Sequence, residues 1–118
     1  MVRGRALWVA MAGITMAGCG LHMTTTEIAR PYPPLPSSAP VAVMSVGIPQ
    51  CPFEELQLVT VFETLDVFGD DMLLAMKDEA RRVGGHALVG LREVYVDDDD
   101  DRGLTATVVR YLEPDCMS

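Results

Sequence analysis

Five consecutive aspartates, Asp97 to Asp101, followed by Arg102 and Gly103, form the densest set of metal-ligand candidates in this 118-residue chain. Carboxylate oxygens gathered in one loop suit hard divalent cations. With Gly103 at the sixth position of a twelve-residue calcium loop, Asp98 and Asp100 fall on the first and third ligand positions. Arg102 then occupies the fifth and Val109 the twelfth, where a bidentate glutamate is needed, so that register fails. Two readings remain: a looser divalent-metal site on Asp98, Asp100 and Asp101 with His86 as an imidazole donor, or a solvated turn between strands. Cys51 and Cys116 offer soft thiolate ligands, but neither belongs to a C-x-x-C pair. His86, beside Gly84-Gly85, equally suits a hydrogen-bonded junction. No Ser/His/Asp grouping, H-E-x-x-H or phosphate loop can be assembled, so the sequence predicts no catalytic residue, no cofactor and no enzyme.

The third thiol, Cys19, has a different chemistry written around it. Arg3 and Arg5 precede an apolar run from Ala6 to Ala17 that is shorter than the about 20 residues a membrane-spanning helix requires. A short basic segment followed by a short apolar one is the plan of a secretory leader. The run closes on Met16-Ala17-Gly18-Cys19, which resembles the lipobox of bacterial lipoproteins, with Met16 where leucine is usual. That resemblance implies cleavage before Cys19 and acylation of its thiol and amine. Because two or more acyl chains anchor stably where one does not, the mature chain is expected to sit on a membrane without crossing it. Gly20 stands where, in the enteric sorting rule, an aspartate would retain the protein in the inner membrane, so the outer membrane is the expected address. With Cys19 acylated, Cys51 and Cys116 are left as a disulfide candidate in an oxidising compartment.

The elements that must position these residues follow from composition. Residues 1–18 read as leader, 19–40 as lipidated cysteine and tether, and 41–118 as one small domain. Five prolines in Pro31 to Pro40 favour an extended spacer, which would hold the domain about 30 Å from the lipid. Loss of Arg3 and Arg5 takes the net charge from −8 to −10, which argues against nucleic acid as a partner. Val41 to Val46 and Leu56 to Phe62 read as strands. Met72, Leu73, Met76, Ala80 and Val83 recur at helical spacing behind Gly69-Asp70, with Asp70 as N-cap; Arg81 and Arg82 precede the terminating Gly84-Gly85, and Asp78 can pair with Arg82. Ala87 to Val96 and Leu104 to Leu112 read as a hairpin turned by Asp97 to Gly103. The expected fold is α+β, in β-β-α-β-β order, with the helix packed on one face of a single sheet.

From Leu56 to Leu112 this pattern resembles the small β-α-β domains of the Rcs envelope-stress sensor lipoprotein and of the YbjQ-type heavy-metal-binding family. The residues that carry the likeness are Ala80-Arg81-Arg82-Val83, the Gly84-Gly85-His86-Ala87 junction, and Leu88-Val89-Gly90-Leu91 with Val94 and Tyr95. His86 departs from it, standing where asparagine is common. The resemblance implies a lipoprotein whose domain binds another envelope protein, as a sensor or assembly accessory. The alternative expectation is a weak divalent-metal-binding lipoprotein that uses the Asp97 to Asp101 turn.

Overall fold

The computed structural model describes residues 21–63, 69–96 and 101–117. The expected leader (residues 1–18), Cys19, and Asp97 to Asp100 lie outside these residues. The described chain runs β1 (Leu21–Glu27), β2 (Ala42–Met44), β3 (Phe53–Glu63), α1 (Gly69–Arg82), β4 (Ala87–Val96), β5 (Asp101–Tyr111) and a final 3₁₀ turn (Pro114–Met117). The strands form one sheet in the order β1-β3-β5-β4-β2, with α1 against one face. Neighbours are antiparallel except β2, which lies parallel to β4. The expected α+β layer is therefore present. Among the described residues no helix is long and apolar enough to cross a membrane.

Alternation explains the core. Val59 and Val61 of β3 and Ala106 and Val108 of β5 point to the helix side, where Met72, Met76, Ala80 and Val83 of α1 cover them. A bulge in β3 between Glu55 and Gln57 turns both Leu56 and Gln57 inward. A second register shift in β4, between Val89 and Arg92, contains Gly90 with φ of +68°. On the opposite face, Ala87, Val89 and Val109 pack beneath Met44, Phe53 and Tyr111.

Three expectations change. The segment before Pro40 is no free spacer: Leu21–Glu27 is an edge strand in register with β3, from Leu21 opposite Glu63 to Glu27 opposite Gln57. Its alternating half-buried Leu21, Met23 and Thr25 face the helix side, and that burial outweighs its polar composition. The prolines that follow exclude helix and ladder but allow an extended strap, and the strap lies on the domain. Next, the hairpin turn is shorter than Asp97 to Gly103, because Arg102 pairs with Tyr95 and Gly103 with Val94 inside the ladder. Gly103 serves close packing, since a Cβ there would lie 2.6 Å from both the Phe62 ring and the Val61 carbonyl oxygen. Finally, the helix ion pairs are Asp78–Arg81 at 2.9 Å and Glu79–Arg82 at 2.6 Å, so Arg82 bonds Glu79 and not Asp78. Gln57 favours this choice by fixing Glu79: its Nε2 donates to Glu79 Oε2 at 2.9 Å.

Candidate functional site

The most constrained constellation outside the core lies where α1 ends. Gly84 takes φ of +83°, a left-handed value that a glycine adopts without penalty. Gly85 N–H donates to the Ala80 carbonyl at 2.8 Å and Gly84 N–H to that of Arg81 at 3.1 Å, the paired bonds of a glycine-closed helix terminus. The strap adds two donors at this terminus, as Tyr32 N–H donates to the Val83 carbonyl at 3.0 Å and Leu35 N–H to that of Arg81 at 2.9 Å. Arg110, on β5, donates from Nη1 to the Gly84 carbonyl at 2.7 Å and places its guanidinium 4.3 Å from the centre of the Tyr32 ring. Tyr32 Oη donates to Glu54 Oε1 at 2.6 Å. That hydrogen bond, with burial second, pushes the phenol pKa up. Arg81 completes the latch by donating from Nε to the Ala39 carbonyl at 2.7 Å. The strap is thus joined to helix, β3 and β5 together.

His86 is a junction residue. Its N–H donates to the Val109 carbonyl at 2.8 Å, its carbonyl accepts from Ala42 N–H at 3.1 Å, and Nδ1 accepts from Tyr111 N–H at 3.0 Å. The neutral ring therefore carries its proton on Nε2. Burial, followed by the Arg110 charge, pulls its pKa below the ordinary value. The ring also lies against Tyr111, with centroids 5.5 Å apart.

This placement separates the proposed metal ligands. His86 precedes the first residue of β4, whereas Asp101 pairs with Val96 at the last. Ten residues of strand at roughly 3.3 Å each put about 30 Å between the two positions. Asp98 and Asp100 lie outside the described residues, and among those described no group of three His, Cys, Asp or Glu side chains is placed to hold a metal. The structure joins Cys51 to Cys116 as a disulfide with Cα atoms 5.9 Å apart. That bridge also withdraws both thiols from any metal. It ties the β2–β3 connection to the C-terminal turn, and Leu112 N–H donates to the Pro52 carbonyl at 3.0 Å beside it. Val46 and Ile48, in the connection that leads to Cys51, and Leu112, ahead of Cys116, expose aliphatic side chains.

Sequence reasoning missed Tyr32, Glu54, Gly84 as a contact point, and Arg110. One signal was available: an arginine inside the apolar strand Leu104 to Tyr111 needs an acceptor or an aromatic face. The chain matches no protein-family model and no curated protein. It is similar in fold to a solved structure, the Francisella virulence factor FvfA in its orthorhombic crystal form, with a TM-score of 0.55 and 14% identity over 75% of this chain and 96% of that one. At that identity the likeness bears on the fold alone.

Proposed function

We propose that this chain is an envelope lipoprotein, anchored through Cys19 on the outer membrane, whose small acidic domain is a non-enzymatic module for another envelope protein. The observation that supports it best is the continuity between anchor and domain. β1 begins two residues after Cys19, and β1 and its strap are bonded to β3, α1 and β5, so the folded domain starts within two residues of the proposed lipid attachment point. A module that must present one surface repeatedly to a partner gains from a short link to its anchor, because less freedom is lost on binding. The second support is the disulfide, which staples the connection bearing the exposed Val46 and Ile48 to the C-terminal turn that follows the exposed Leu112.

The test has two parts. Cys19→Ala is expected to abolish acyl labelling and leave the precursor uncleaved; normal processing of that variant removes the lipoprotein reading. A photocrosslinking residue at Ile48, with Asp78 on the helix as control, is expected to give one discrete protein adduct in cells from Ile48 only. Equal adduct patterns at the two positions would count against a binding module.

A further inference from the structure

We propose that β1 pairs antiparallel with β1 of a second copy of this chain, joining the two sheets into one across a two-fold axis at Thr24. The phase of the existing ladder shows which backbone groups are free for this. Ile28 N–H donates to the Leu56 carbonyl at 2.9 Å, and Ile28 stands opposite Leu56 when the β1–β3 register is continued by one residue. Antiparallel pairs alternate between bonded and non-bonded. Thr26, Thr24 and His22 therefore exchange bonds with Leu58, Thr60 and Phe62, while the N–H and C=O groups of Met23, Thr25 and Glu27 point away from β3. The next ladder agrees with that phase. If the backbone of Thr60 turns toward β1, Thr60 and Thr105 form a non-bonded pair, the closer kind, and their hydroxyls indeed meet at 2.8 Å.

The two edges of the sheet differ. β2 closes the far side with three residues, too short to template a partner. β1 offers seven, without proline, lysine, arginine or a bulge, and with Glu27 as its one carboxylate. Those are the devices that keep edges apart, and this edge lacks them. Among the described residues nothing takes up its outward N–H and C=O groups. In a chain of net charge −8 most surfaces repel a second copy, and this nearly uncharged strand is an exception.

A copy of the same strand fits this edge over its whole length. The outward groups sit on odd-numbered residues, so odd must face odd, and a pairing centred on Thr24 sets Met23 against Thr25 and Leu21 against Glu27 with no overhang. Side chains then fall on matching faces. The half-buried Leu21, Met23 and Thr25 of each copy meet on the helix side and extend that layer across the seam, while the exposed His22 and Thr26 meet on the other face. The two Glu27 carboxylates stand about 20 Å apart, well over the Debye length of about 8 Å. The seam itself is about 20 Å long, short for a protein interface, so the association is reversible.

The experiment uses the full chain, purified from cells in density-matched detergent and measured by sedimentation equilibrium. The wild type is expected to dimerise reversibly below about 1 mM. Thr25→Pro removes an N–H that points away from β3, a change an edge strand tolerates, and is expected to weaken dimerisation roughly tenfold or more with Tm nearly unchanged. Thr24→Pro removes a bond to β3 and is expected to lower Tm instead. Under mild oxidation Thr24→Cys is expected to give a disulfide-linked dimer, because Thr24 faces its own copy as a non-bonded pair with Cα atoms about 4.5 Å apart. His22→Cys and Thr26→Cys are expected to link to each other when mixed and not to themselves. Yields are read above that of the wild type, which carries Cys19 in every sample. A wild type that stays monomeric to about 1 mM, a dimer that survives Thr25→Pro, or equal self-linkage at the three positions overturns the pairing. So does a Thr24→Cys protein adduct of any mass other than twice the chain's, which would mean that another protein takes the edge. Where Thr25→Pro fails to fold, the three cysteine variants decide.

Discussion

Replacing Gly84 by alanine separates the strap's contribution from an ordinary backbone penalty, because Gly47 and Gly90 provide matched controls. All three glycines have φ between +68° and +83°. An L side chain costs roughly 1–2 kcal/mol in that region, offset in part by about 0.4–1 kcal/mol from the stiffer unfolded chain. A Cβ on Gly47 or Gly90 meets nothing within 4 Å, so Gly47→Ala and Gly90→Ala should cost about 1 kcal/mol. On Gly84 the same atom would lie 2.6 Å from Tyr32 Cβ and 3.0 Å from the Pro33 carbonyl oxygen. Both belong to the strap, which must lift. Lifting breaks the Tyr32 N–H to Val83 and Leu35 N–H to Arg81 bonds, each worth about 1 kcal/mol net. Gly84→Ala should therefore cost about 3 kcal/mol, some 2 kcal/mol beyond the controls. In a domain of this size that excess lowers Tm by about 10 °C. The measurement is urea and thermal unfolding followed by far-UV circular dichroism, with limited proteolysis of residues 28–40 to report the strap directly. If the three variants agree within about 0.5 kcal/mol and the strap is cleaved no faster in Gly84→Ala, the strap is not part of the folded domain.

The bridge between Cys51 and Cys116 spans a separation of 65 residues, so reduction should remove about 4 kcal/mol on the chain-entropy account. Two alkylatable thiols in oxidised, denatured protein would refute the pairing. His86 has a pKa held below its ordinary value, so the unfolded chain gains its proton first: its contribution is complete above about pH 6.5 and is lost as pH falls through that value toward the lower folded pKa. His86→Asn keeps an acceptor for Tyr111 N–H and does not titrate, so the wild-type minus variant stability difference should fall from pH 7 to pH 5; a difference that stays flat or rises would refute that sign. Gln57 Oε1 is buried with no hydrogen-bond partner among the described residues, so Gln57→Leu should be neutral or stabilising by thermal unfolding, and a loss above about 2 kcal/mol would show that the Nε2 to Glu79 bond matters more.

The helix and the β4–β5 hairpin were legible because their signals are local. Met72, Met76, Ala80 and Val83 repeat at helical spacing, and glycine follows basic residues at Arg81-Arg82. β1 was hidden by its threonines, although Leu21, Met23 and Thr25 alternate as a half-buried strand should. The strap was hidden for a different reason. Proline composition reports which conformations the chain refuses, not which surface it touches, and the Tyr32 contacts are made with Glu54, Val83, Gly84 and Arg110 far along the chain. The same limit applied to His86 and Asp101, whose separation is a matter of strand direction and not of spacing.

The placement of β1 also sets an order of events. This strand is synthesised first, yet its partner β3 ends at Glu63, and β3 is itself paired to β5, which begins at Asp101. Closing so long a loop is entropically costly, and contacts distant in sequence form late. Until β3 is made, residues 21–27 have no ladder to join. Once β3 is in place the edge closes. Slowing the folding of β3 should lengthen the interval in which residues 21–27 stay open to a protease, and accelerating it should shorten that interval.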